Sequence, residues 1–442
     1  MKINLPALGL ALAFTTNLLA GETLTLNVVP ERGCFLRNSP QEVVLKIDLS
    51  AITGRNQARR TPLNLSVVLD RSGSMTGAKI EKAKQAAMQL VDRLRPDDIF
   101  SLVMFSDEAR VVVPAQHIED KDVLKEKIEG IEAEGSTALY AGVKMGAGQI
   151  GEYLSSKRIN RVILLSDGLA NVGPSTPRDL RQLGSQLVER GISVTTIGVG
   201  DDYNEDLMAG LAEASDANYY YVKDTEKLPE IFARELGELL TVAVRDVQIE
   251  IICPDSVKPL GFIGRTEKFE NQRAVVNLSQ FTSGQERYLF LRCLINGSQP
   301  DVARVNVNYR DELDGGSTQA ASRTAKIEFT DDQQLSDKSV NRAVFAEKQL
   351  MLAAVAKDEA MAQADAGNYS VAAKILTAQN AALSSAYAAA PASVQSQIRE
   401  ETNNLDYFTS QIDGAGGSGG GAYDSATRKT MQWQSYNTRN SK

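Results

Sequence analysis

Three short stretches carry the residues whose types and spacing could do chemistry. Asp70, Ser72 and Ser74 stand at alternate positions in "DRSGSM", Ser136 and Thr137 follow a glycine in "EGSTALY", and Asp167 lies in "LLSDG". Carboxylates and neutral hydroxyls are the oxygen donors a hard divalent cation takes, and magnesium in particular wants near-octahedral oxygens while keeping several waters. Alternate residues of a turn leaving a strand can aim their oxygens at one point. Taken singly, each residue is also an ordinary turn or helix-capping residue. Composition narrows the alternatives. The 442 residues include one His and three Cys, which disfavours His-based triads, imidazole-bound zinc and thiolate clusters. A net charge of -8 offers no basic field for gathering nucleic acid or anionic lipid.

The elements around these stretches must bring them together. Apolar, strand-like runs at Leu63 to Leu69, Ile99 to Phe105, Val162 to Leu165 and Val194 to Val199 alternate with helical patterns. In Ile80 to Leu94, for example, Ile80, Ala83, Ala87, Val91 and Leu94 recur at three- and four-residue spacing. Strands buried on both faces with helices between them predict an α/β domain with a doubly wound, mostly parallel, Rossmann-like sheet. Ligands bind such sheets beyond the carboxyl ends of the strands, where the strand order reverses. The three stretches fall at those ends, and so do three further acids, Asp107, Asp201 and Asp202.

Period-two segments lie on both sides of this domain, "TLTLNVV" and "EVVLKIDL" before it and "VRDVQIEIICP" to "TAKIEF" after it. Because unpaired edge strands are a liability, one β-sandwich into which the α/β domain is inserted is the simplest arrangement. The expected boundaries are 21–60 and 242–331 for the sandwich and 61–241 for the insert. An alanine-rich stretch, 334–412, is expected to form a helical hairpin. Residues 413–442 read as a Gly-rich linker and a basic, disordered tail. Residues 1–20 read as a secretory signal, so the chain is expected to be exported to periplasm, surface or medium, with no membrane span after cleavage. Cys34, Cys253 and Cys293 are odd in number; a bridge between Cys253 and Cys293 and their burial as thiols both stand open.

The three stretches together resemble the von Willebrand factor A (VWA) domain family: "VVLDRSGSM" is similar to its Asp-x-Ser-x-Ser signature, "GST" to its threonine element and "LLSDG" to its second aspartate element. The resemblance covers Leu63 to about Leu240. It implies a metal-ion-dependent adhesion site, with hydroxyls from Ser72, Ser74 and Thr137 and with Asp70 and Asp167 binding directly or through water. Thr137 is preferred over Ser136 because the family's threonine follows the glycine by two positions. The implied function is a protein-binding module, in which Mg2+, Mn2+ or Ca2+ bridges to an Asp or Glu of a protein partner. Asp107, Asp201 and Asp202 would then repel a carboxylate until metal is loaded, or would simply be solvated loop acids. A less specific resemblance extends to exported bacterial proteins related to inter-alpha-trypsin inhibitor heavy chains. The alternatives are an envelope-assembly scaffold with a structural metal and, less favoured, a Mg-dependent phosphoryl-transfer enzyme. The latter needs a second acid two residues after Asp70, where Ser72 stands. A serine hydrolase is disfavoured because "SGSMTG" is not G-x-S-x-G and the one histidine, His117, reads as a surface residue. No enzymatic activity is expected.

Overall fold

A computed structural model describes residues 23–53, 60–296, 299–416 and 423–441. The expected signal, residues 1–20, lies outside them. The chain opens with β1 (Leu24–Pro30), β2 (Cys34–Leu36) and β3 (Gln41–Ala51). The inserted domain runs β4 (Leu63–Asp70), α1 (Ala78–Arg93), β5 (Ile99–Phe105), β6 (Ala109–His117), α2 (Lys121–Glu129), α3 (Leu139–Glu152), β7 (Ile159–Ser166), α4 (Pro177–Glu189), β8 (Ser193–Val199), α5 (Glu205–Ala214), β9 (Tyr219–Val222) and α6 (Leu228–Leu240). Strands resume with β10 (Val242–Ile252), β11 (Val257–Phe262), β12 (Arg273–Thr282), β13 (Glu286–Ile295), β14 (Asp301–Asp311), β15 (Ser317–Lys326) and β16 (Glu328–Thr330). Helices α7 (Gln333–Lys338), α8 (Arg342–Asp365), α9 (Tyr369–Tyr387), α10 (Ala392–Gly416) and α11 (Ser425–Asn440) complete the chain.

Every residue of β4, β7 and β8 is buried, as strands covered on both faces must be. They occupy the middle of a sheet ordered β6-β5-β4-β7-β8-β9, parallel except for β6. Leu63, Leu65, Val67 and Leu69 of β4 face a core shared with α1 and α6, while Val68 faces the core under α3. From β4 the chain steps to β5 and β6 on one side, then returns to β7 on the other. The order therefore reverses at β4, and the carboxyl end of β4 is where a ligand crevice should lie.

The flanking strands form two antiparallel sheets, β1-β3-β13-β11 and β12-β10-β14-β15, closed on one apolar core. β3, which precedes the insert, pairs with β13, which follows it, from Gln41 opposite Ile295 to Ser50 opposite Glu286. Arg245 of β10 braces the insert. It is buried, it pairs with Glu312, and it donates to the carbonyls of Ser156 and Arg158. Cys34, Cys253 and Cys293 are all buried free thiols.

Two expectations change. The breaks in the alanine-rich stretch yield three helices, α8 to α10, so the hairpin becomes an antiparallel trio, with α8 also covering Val44 and Phe290 of the sandwich. The tail is a helix rather than disordered. In α11, Met431 enters the helical core and Tyr436 enters the α/β core. Its basic residues meet acids from distant segments: Arg428 pairs with Glu205, Asp206 and Asp365, Lys429 with Glu205, and Arg439 with Glu213 and Asp358. That pairing offsets the charge that made the segment read as unfolded. Of the Gly-rich linker, residues 414–416 continue α10 and 417–422 lie outside the described residues. Among the described residues, no helix is long and apolar enough to cross a membrane.

Candidate metal centre

β4 ends on Asp70 and β7 on Ser166, and the register that sets Leu69 opposite Leu165 brings these two ends side by side. Asp70 is fully buried. Its Oδ1 accepts the Ser72 N–H at 2.8 Å, and its Oδ2 accepts the Ser166 hydroxyl at 2.5 Å. Burial pushes the Asp70 carboxyl up to about 6, against the downward pull of the Ser166 and Ser72 hydrogen bonds.

Past Asp70 a single tight turn, Gly73–Met75, returns the chain over the sheet edge. Ser72 Oγ and Ser74 Oγ lie 3.0 Å apart, and Ser74 Oγ donates to Asp167 Oδ1 at 2.8 Å. The other oxygen of Asp167, also fully buried, accepts Lys79 Nζ at 2.5 Å.

Thr137 comes from the loop before α3. Its N–H donates to Asn171 Oδ1 at 2.9 Å, and its carbonyl accepts the N–H groups of Asn171 and Val172. A Cβ at position 168 would stand 2.8 Å from Thr137 Oγ1 and 3.4 Å from Ser74 Oγ, so the two hydroxyls converge where only glycine leaves room. Gly135, at φ +82°, makes the bend before Thr137, and Asp107 Oδ1 fixes that bend by accepting the Ser136 N–H at 3.0 Å.

The five candidates are thus brought to one place. An open cleft of about 390 Å³ is lined by Ser72, Ser74, Thr137 and Asp167 together with Ser136, Leu169 and Asp202, and the buried Asp70 is tied to it through the Ser72 N–H. Of the three further acids, only Asp202 lines the cleft. Asp107 holds the Gly135 loop, and Asp201 accepts from Tyr221 Oη at 2.5 Å while its carbonyl accepts from Ser425 of α11. His117 is exposed at the end of edge strand β6. A larger cleft of about 1230 Å³, between the insert, the sandwich and α11, is lined by charges already paired, such as Arg439 with Glu213, and contains none of the five.

The donor set fits a hard divalent cation. Two buried carboxylates and three hydroxyls are oxygen ligands only, and an ammonium already stands on one of the carboxylates, as a cation would. Among the described residues, no three His, Cys, Asp or Glu side chains gather to hold a metal elsewhere. Motif reading missed Ser166, Lys79 and Asn171. Ser166 acts through the β4–β7 register, and Lys79 and Asn171 act through loops that meet only in the folded chain.

A family model described as von Willebrand factor type A domain matches residues 64–234. The chain is 30% identical over 272 residues to the uncharacterized protein sll0103 of Synechocystis sp., covering 58% of this chain and 64% of that protein. It is 31% identical over 160 residues to human inter-alpha-trypsin inhibitor heavy chain H4, covering 34% of this chain and 17% of that one. It thus spans less than two thirds of the length of these relatives. A solved structure, von Willebrand factor type A from Catenulispora acidiphila, superposes with a TM-score of 0.68 at 18% identity, covering 88% of this chain and 89% of that one. At that identity the likeness is one of fold.

Proposed function

Since residues 64–234 form a von Willebrand factor type A domain, we propose that the chain is an exported protein-binding module whose Asp70, Ser72, Ser74, Thr137 and Asp167 hold a divalent cation, Mg2+, Mn2+ or Ca2+. The observation that carries this reading is the convergence of the Ser72, Ser74 and Thr137 hydroxyls with Asp167 at the mouth of one cleft, above a buried Asp70. When bound, such an ion supplies an electrophilic position that an Asp or Glu carboxylate of a protein partner can complete.

The chain's own residues set the terms of recognition. Neutral hydroxyls leave the cation less neutralised than an all-carboxylate shell would. Ser166 and the Ser72 N–H orient Asp70, and its burial keeps it from direct contact with a partner. Asp202, which also lines the cleft, disfavours a carboxylate arriving without a metal. The reading assigns no catalysis. Asp70, the residue a phosphoryl-transfer enzyme would use as nucleophile, is fully buried with both oxygens engaged.

The test is selection of random displayed peptides on the immobilised full chain in magnesium. Retained peptides should carry Asp or Glu, should elute with chelator and should be lost on a folded Asp70→Ala variant. Peptides held equally in chelator and by Asp70→Ala would overturn the reading. An Asp70→Ala variant that only unfolds at lower temperature, with capture intact, would favour a scaffold with a structural metal.

A further inference from the structure

We propose that Lys79 is a resident cation of this site, an ammonium that a divalent ion must displace from Asp167; the inference rests on the metal-site reading above. Lys79 is the second residue of α1, and its Nζ lies 2.5 Å from Asp167 Oδ2. The carboxylate is fully buried, whereas the lysine side chain is one-quarter exposed. The ammonium therefore reaches inward from the rim, past Gly200, and can swing back into water.

Two features make this contact more than a surface ion pair. A cation in the first turn of a helix faces the positive end of the helix dipole, which is unfavourable, so the carboxylate accounts for its place there. Among the described residues, Lys79 is also the one cation within ion-pair distance of Asp70 or Asp167. Without it, the metal-free chain would bury two neighbouring carboxylates with no counter-charge, a costly arrangement.

An ammonium satisfies a carboxylate as a point charge on a flexible stem, without imposing the oxygen arrangement a divalent ion requires. It keeps the site assembled when metal-free. It also competes, because like charges sharing one carboxylate repel. Lys79 thus sets the ion concentration at which the site fills: metal enters by driving the ammonium off Asp167, and chelation lets it return.

The test uses the full chain and two readouts, Mn2+ affinity by calorimetric titration and thermal unfolding in chelator. Lys79→Met should bind Mn2+ about tenfold more tightly, the size of effect a lost like charge close to a site produces. It should also unfold at a lower temperature than wild type in chelator, and gain more from added Mn2+. Lys79→Gln, which keeps a donor without the charge, should move both readouts the same way, and Lys79→Arg should leave both near wild type. If both neutral variants bind Mn2+ no more tightly than wild type while Asp167→Asn abolishes binding, the competitor role is overturned and the metal site stands. If neither wild type nor the neutral variants bind Mn2+, the metal-site reading falls and takes this inference with it.

Discussion

At the scale of single residues, the carboxylates at the sheet edge owe their state to what touches them. Asp70 is buried under two hydrogen bonds and Asp167 under a hydroxyl and an ammonium, so each is held by donors that a cation would join or replace. A further carboxyl, outside this site, offers a separate check on how burial governs charge in the fold. Asp48 of β3 is pushed up to about 7 by burial, and the neighbouring Glu286 raises it further while Lys46 pulls it down. One of its oxygens is buried without a hydrogen-bond partner. Its folded value lies above the ordinary value near 4 of an unfolded chain, so its contribution to stability is full below about pH 4 and is lost as pH rises through about 7. Urea midpoints should therefore fall between about pH 4 and pH 7, and Asp48→Asn should flatten that part of the profile. An unchanged slope in the variant would show that another group carries it.

At the scale of elements, hydropathy period and motif spacing together account for most of the inserted domain. β4, β7 and β8 read as continuous apolar runs because both faces are covered, and the five candidate residues are legible because each follows a strand end or opens a helix. Contacts made only across the sheet were not legible. Ser166 looks like any serine until β4 and β7 pair, and Glu235 of α6 looks like a solvated helix acid. Glu235 is in fact fully buried, accepting from Thr195 at 2.5 Å, Asn218 at 2.8 Å and Tyr220 at 3.2 Å, with Arg161 at 3.9 Å. This network fastens α6 to β7, β8 and β9 just before the chain re-enters the sandwich at Val242, and so opposes any sliding of that helix. Glu235→Ala should cost about 3–5 kcal/mol, because it strands Arg161 and a buried hydroxyl. Chemical denaturation measures that cost, and a loss below about 1 kcal/mol would mean that the network does not hold the helix.

At the scale of the whole molecule, strands from both ends of the insert close one sandwich, and α11 straps the insert to the helical trio. The strap was illegible because Met431, Trp433 and Tyr436 are few among polar and charged residues, and the acids that neutralise Arg428, Lys429 and Arg439 lie far away in sequence. Tyr436 is fully buried, stacks edge-on against Tyr219 and donates to the Ala217 carbonyl. Tyr436→Ala should cost about 3–5 kcal/mol locally, by analogy with other large aromatic truncations. Hydrogen exchange should then speed up in Ser425–Asn440 and Tyr219–Val222 ahead of the sandwich, and unchanged protection there would contradict a docked strap. The central claim, that five oxygen-bearing residues hold a divalent ion with a position open to a partner carboxylate, is tested most directly by the relaxation of water protons in Mn2+ solution. Adding the full chain should enhance relaxation, millimolar glutarate should reduce that enhancement by displacing bound water, and Asp167→Asn should show no enhancement; no enhancement with wild type, or an equal one with Asp167→Asn, would contradict the account.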